Sequence, residues 1–191
     1  RIPDLADIYV GADMSLHEDC SAGAWAWPRS DGNVLVDAHV WAARPDVSAD
    51  EYVRGDIDPR LVEAFIDQLA KRYRVREVVY DPALFARSAA ELADRYVVAP
   101  VSQSSANMAE AYQAFFSAVN NQTVKHDGGK VLASHVTNAL AEMTDRGWRV
   151  RKSKQNRKID ALVAGVMAHW RAAVNANGPS IYESRGLLVM G

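Results

Sequence analysis

The chain has one cysteine, Cys20, in 191 residues. That excludes an internal disulfide framework and a cysteine-built zinc site, and it suits a reducing cytoplasm. No apolar run approaches the roughly 18 residues of a membrane span. No apolar stretch backs Arg1-Ile2-Pro3-Asp4, so no signal peptide is expected there. The sequence lacks G-x-x-x-x-G-K-[ST], H-E-x-x-H, G-x-S-x-G and G-x-G-x-x-G. P-loop ATPase, zincin, α/β-hydrolase and Rossmann readings lose their support with those motifs. Positive charge is not in excess either: 22 Lys and Arg stand against 24 Asp and Glu, a formal net charge of −2. A globally basic nucleic-acid coat is excluded, whereas a local basic patch is not. The first residue is not Met, so the chain reads as an excised or processed piece of something longer.

What is present is an ordinary globular composition, 49 % hydrophobic and 24 % charged. The length suits one domain with a substantial core. Asp7 to Asp13 is a short apolar run ending on a carboxylate and reads as a buried strand. Ala22 to Trp27 and Val34 to Ala42 are further strands, the latter after an Asp31-Gly32 turn. Arg44 to Asp58 reads as a loop. Asp58-Pro59 opens an amphipathic helix to about Arg72, with an N-cap followed by Pro at the first helical position. Glu77 to Asp81 is a strand, Pro82 begins a helix to about Asp94, and Tyr96 to Ala99 is a fifth strand. Met108, Tyr112, Phe115 and Val119 mark a helix, and Val131, His135, Val136, Leu140 and Met143 mark another. Arg149 to Asn156 reads as a basic connection, and Ile159 to Trp170 as a buried final helix. The expected fold class is α/β, with a mixed five-stranded sheet: three antiparallel strands, then βαβ crossovers, flanked by helices. Residues 175–191 read as a tail with an apolar end, Leu187 to Met190, after a domain of residues 1–174.

Three carboxylates need a reason. Asp13 and Asp81 each end a buried strand, where a charge is costly unless paired or bound to a cation. Strand one is expected beside strand four, which brings the two acids to one sheet edge. Asp160 lies in the first turn of the buried last helix. Clustered acids repel, and Mg²⁺ or Mn²⁺ relieves that repulsion with oxygen ligands. Two such ions can drive in-line phosphodiester displacement, one activating water and the other stabilising the leaving oxygen. Taken singly, Asp160 also fits a helix cap, Asp81 a turn acid before Pro82, and Asp13 an isolated strand-end acid.

Arg146, Arg149, Arg151, Lys152, Lys154, Arg157 and Lys158 crowd the approach to Asp160. They read either as a solvated loop or as a phosphate-contacting strip. Residues 1–60 carry 12 Asp and Glu against 5 Arg, so the small net charge hides an asymmetry that would orient DNA on one side. His135 and Asn138 share a helix face and could make a polar contact near the site. His126 precedes a glycine turn and reads as a loop residue or a phosphate contact. Cys20 reads as a small buried apolar residue.

Val10-Gly11-Ala12-Asp13-Met14-Ser15, Val78-Val79-Tyr80-Asp81-Pro82 and KQNRKIDALVA from Lys154 to Ala164 resemble the nuclease domain of tailed-phage terminase large subunits. The resemblance extends through Val101 to Ser104, Val124 to Asn138 and Ile181 to Leu187. It implies an RNase H-like fold and a Mg²⁺- or Mn²⁺-dependent endonuclease that cuts concatemeric double-stranded DNA during genome packaging. It places the metal-binding and catalytic acids at Asp13, Asp81 and Asp160. It implies a host bacterial cytoplasm. Through a longer protein it also implies a portal protein and a terminase small subunit as partners. With no P-loop in this chain, it is expected to cut DNA and not to translocate it. The rival expectations are a Holliday-junction resolvase or transposase-like nuclease of the same fold, and a non-catalytic module that docks DNA or the portal.

Overall fold

The computed structural model describes residues 1–15, 20–103, 106–145 and 147–176. Arg146, Ser104 and residues 177–191 of the expected tail, Ile181 to Met190 included, lie outside the described residues.

Strand β1 (Asp7–Asp13) pairs antiparallel with β2 (Cys20–Pro28), and β2 pairs antiparallel with β3 (Val34–Ala42). The two-residue β4 (Glu51–Tyr52) joins β3 in parallel, inside the segment read as a loop. Helix α1 (Pro59–Ala70) starts as expected: the Asp58 side chain accepts from the Arg60 N–H, and Pro59 sits in the first turn. β5 (Arg74–Tyr80) lies parallel to β1, and α2 (Pro82–Leu92) leads to β6 (Val98–Pro100), parallel to β5. Helix α3 (Ala106–Asn120) precedes β7 (Val124–Lys125), a second short strand on β3. The order β4-β3-β2-β1-β5-β6, with β7 also on β3, extends the expected five strands to seven by adding two short edge pieces.

The largest departure follows. The helix read through Met143 stops early, as α4 (Lys130–Thr137). The chain then forms a separate antiparallel hairpin, β8 (Ala139–Thr144) and β9 (Gly147–Lys152), where the sequence suggested a helix and then a connection. In the hairpin the two apolar positions that had suggested a longer helix, Leu140 and Met143, are 42 % and 59 % exposed, so their spacing marks no buried face. As strands, alternate residues divide between two faces. Trp148 stacks on Phe116 of α3 at 4.3 Å, while Arg149 points to Glu142. Helix α5 (Asp160–Ala176) ends the described chain and runs two residues past the expected domain boundary.

The sheet is covered on both faces. α1 and α2 lie on one, over Ile8, Val10, Trp41, Val78 and Tyr80. α5 crosses the other, over Ala22, Ala24 and Ala26, with α3 beside it. Gly11 fixes how close α5 comes. A Cβ built there would overlap the carbonyl oxygen of Ala164, one turn into the helix, so no larger residue fits this face of β1. At the far end Arg171 is tied to Glu77 of β5 by a nearly buried ion pair of 2.7 Å.

Candidate metal centre

β1 and β5 run side by side in the same direction, and their last paired residues are Ala12 and Tyr80. Asp13 and Asp81 each follow one of these. They therefore leave the same end of the sheet on neighbouring parallel strands, the position where open α/β sheets present their ligands. Tyr9 and Gly11 of β1 face α5, and Asp13 continues that alternation. Asp160 opens α5 over the same edge.

Asp13 is buried. Burial drives its carboxyl group well above the ordinary range, and the charges of Asp160 and then Asp81 push it the same way. Asp160 and Asp81 are thus both within electrostatic reach of Asp13. Two groups oppose the effect. The side-chain amide of Gln103, in the loop after β6, donates to Asp13 Oδ1 at 2.9 Å, and Lys152 at the end of β9 supplies positive charge. Asp81 also keeps the local role that its position before Pro82 allowed: its Oδ1 accepts from the Ala83 N–H at 3.0 Å and caps α2.

Asp160 lies among side chains from distant parts of the chain. The Cys20 thiol donates to its Oδ2 at 2.9 Å. Burial and the Asp160 carboxylate raise the thiol's pKa, which keeps it protonated as a donor. Sulfur, imidazole and carboxylate atoms of Cys20, His135 and Asp160 lie within 4.8 Å of one another. The imidazole is already committed, however. Its Nδ1 is 3.2 Å from the Ala161 N–H, which can only donate, so Nδ1 is the acceptor. Its Nε2 then carries the proton, 3.0 Å from the Ser48 carbonyl. His135 and Cys20 therefore seat Asp160, and the oxygens of Asp13, Asp81 and Asp160 are the donors left for a cation. An all-carboxylate set fits Mg²⁺ or Mn²⁺ better than a thiophilic ion.

The basic residues are distributed along the hairpin and the loop beyond it. Arg149 and Arg151 share Glu142, at 2.8 and 3.5 Å. The charge of Lys152 acts on Asp13. Lys154 and Arg157 are exposed, and Asn138 Nδ2 donates to the Lys158 carbonyl at 3.1 Å. His126 accepts the Gly128 N–H within an exposed turn. Sequence reasoning missed Cys20 and Gln103 as neighbours of the acids. The run Cys20, Ala22, Ala24, Ala26 is the one available signal for Cys20: small residues at every second position mark a face that something approaches closely.

The sequence model of the terminase large subunit endonuclease domain matches residues 39–176. This chain belongs to that family. Its mixed sheet is an RNase H-like one, shared with phage large terminases. The HK97 bacteriophage large terminase superposes with a TM-score of 0.77 at 20 % identity over 90 % of this chain, which spans 40 % of that protein's length. The large terminase nuclease of thermophilic phage G20c was solved with bound magnesium (TM-score 0.60, 15 % identity, 88 % of this chain and 84 % of that one). It was also solved with bound cobalt (0.61, 14 %, 88 % and 84 %). At such identities the likeness is one of fold. No curated protein sequence matches this terminase nuclease-family chain. No helix among its described residues is long and apolar enough to cross a membrane.

Proposed function

We propose that this domain is a divalent-cation-dependent endonuclease that cuts concatemeric double-stranded phage DNA within a longer packaging protein. The observation that carries the reading is the placement of Asp13 and Asp81 at the same end of neighbouring parallel strands, with Asp160 close enough for its charge to act on the buried Asp13. Such a cluster is costly without a cation, and a carboxylate set of this kind takes Mg²⁺ or Mn²⁺. The G20c nuclease, which shares the fold, binds magnesium and cobalt. Held here, one or two such ions supply charge neutralisation and Lewis acidity for in-line displacement at phosphorus. The protein's own part is positioning. Gln103 holds Asp13, Lys152 offsets its charge, and Cys20 orients Asp160. The strip Arg149, Arg151, Lys152, Lys154, Arg157 and Lys158 grips phosphates, which gives cutting with weak sequence dependence. A portal protein and a terminase small subunit are partners of the longer protein, in the host cytoplasm.

Plasmid cleavage with Mn²⁺, Mg²⁺ or EDTA tests this reading in wild type and Asp160→Ala. The expected result is cutting with metal, none in EDTA, and loss of at least about 10³-fold in a folded variant, since a group holding the reacting centre is removed. A folded wild-type protein that binds DNA but cuts under no metal would favour a docking module. Preference for branched over linear DNA would point to a resolvase-like enzyme.

A further inference from the structure

Helix α4 ends against the backbone on both sides of Asp160. Its His135 Nδ1 accepts the Ala161 N–H, one residue after the acid, and Asn138 Nδ2 donates to the Lys158 carbonyl, two residues before it. The Asn138 carbonyl also accepts the Ser153 N–H at 2.7 Å, where β9 gives way to the basic loop. A helix start has N–H groups without partners inside the helix, and a neighbouring Ser, Thr or Asp usually takes one. In α5 a histidine 26 residues earlier in the chain does so. That histidine is 1 % exposed, and its other nitrogen is fixed on the Ser48 carbonyl. The ring can neither turn nor change tautomer without breaking a buried hydrogen bond.

We infer that His135 and Asn138 are positioning residues: together they clamp the peptide that carries Asp160 and so set where its carboxylate meets those of Asp13 and Asp81. This rests on the proposed metal-dependent nuclease. The two residues do not touch the cation or the DNA; they act through Asp160. Outer partners of this kind change metal affinity or activity by roughly 10- to 100-fold when removed.

The test uses two near-isosteric substitutions that split the two hydrogen bonds of the ring. His135→Asn puts an amide oxygen where Nδ1 lies and retains the Ala161 contact. His135→Gln reaches the Ser48 carbonyl with its amide group and gives up the Ala161 contact. Mn²⁺ affinity is read from the free-ion electron paramagnetic resonance signal, alongside Asp160→Ala and Asn138→Ala. Exchange of the Ala161 amide proton is read by NMR. The expected result is Mn²⁺ binding weakened on the order of 10- to 100-fold in His135→Gln, with faster Ala161 exchange. His135→Asn should stay near wild type on both readouts, and Asn138→Ala should weaken binding in the same direction. Mn²⁺ affinity that is unchanged in both histidine variants, or equally reduced in both, overturns the clamp. Equal Mn²⁺ binding by wild type and Asp160→Ala instead overturns the nuclease reading itself.

Discussion

The two faces of the sheet are filled in opposite ways. Under α1 and α2 the side chains are large: Val62, Ile66 and Phe85 are fully buried, and the Phe65 ring packs against Trp25 and Trp41 at 5.5 and 5.4 Å. Under α5 they are small: Gly11, Ala22, Ala24 and Ala26 meet Ala161, Ala164 and Ala168. Large side chains bury more apolar area, and burial of that kind is worth about 25 cal/mol per Å². Small ones yield less per residue but let a helix backbone approach the strands. The first face holds the fold together. The second sets the distance between Asp13 on the sheet and Asp160 on the helix.

Substitutions can separate these roles. Ile66→Ala should be the costliest to stability, at about 2–5 kcal/mol for an isoleucine-sized cavity. Cleavage per folded molecule should stay near wild type. Urea melts with activity corrected for folded fraction check this, and a specific loss of cleavage would show that α1 also shapes the site. Gly11→Ala should cost roughly 3 kcal/mol, the upper end for overpacking, because the new methyl group meets backbone and not a movable side chain. Here cutting should fall far more than stability, since α5 and Asp160 move together.

His169 lies on α5 with its ring edge against Phe115, and its Nδ1 has no partner among the described residues. Burial lowers its pKa to about 4. The unfolded chain takes up that proton first, near pH 6.5. Stability from this residue is complete above about pH 6.5, falls as pH drops, and levels off below about 4. His169→Phe should remove this loss, a gain on the order of 2 kcal/mol at pH 5 and little at pH 8, in paired thermal melts. Equal shifts at both pH values would mean a packing effect alone. Gly23→Ala should have the smallest effect, about 1 kcal/mol, the low end for overpacking, because a Cβ there meets the edge of the half-buried Phe65 ring at 2.9 Å, and a side chain gives more readily than backbone. A cost matching that of Gly11→Ala would erase the distinction between the faces.

The central strands were legible because their signals are local. β1 and β3 start and stop where apolar runs meet Asp or turn residues, and the strand that ends at Asp81 was expected beside β1, where β5 now lies in parallel. The hairpin was not legible. Val131 to Met143 has helical periodicity, and nothing local shows that Asn138 will turn to the Lys158 carbonyl 20 residues away. β4 and β7 have two residues each, too few to show a period. Around the acids, Gln103 reaches Asp13 across 90 positions and Cys20 reaches Asp160 across 140. Such partners are set by topology; around Cys20 the alternating small residues show that something comes close, without showing what.

Asp81 ends the strand and starts the next helix with one side chain. Its Oδ1 is already occupied by a backbone proton of α2. The other oxygen is the less encumbered one and the better placed to meet a cation, so this acid divides its two oxygens between a helix cap and a ligand. An ion held by single oxygens of Asp81 and its neighbouring acids would still have places to fill from outside the protein, and water and the phosphate oxygens of a nucleic acid are the natural occupants.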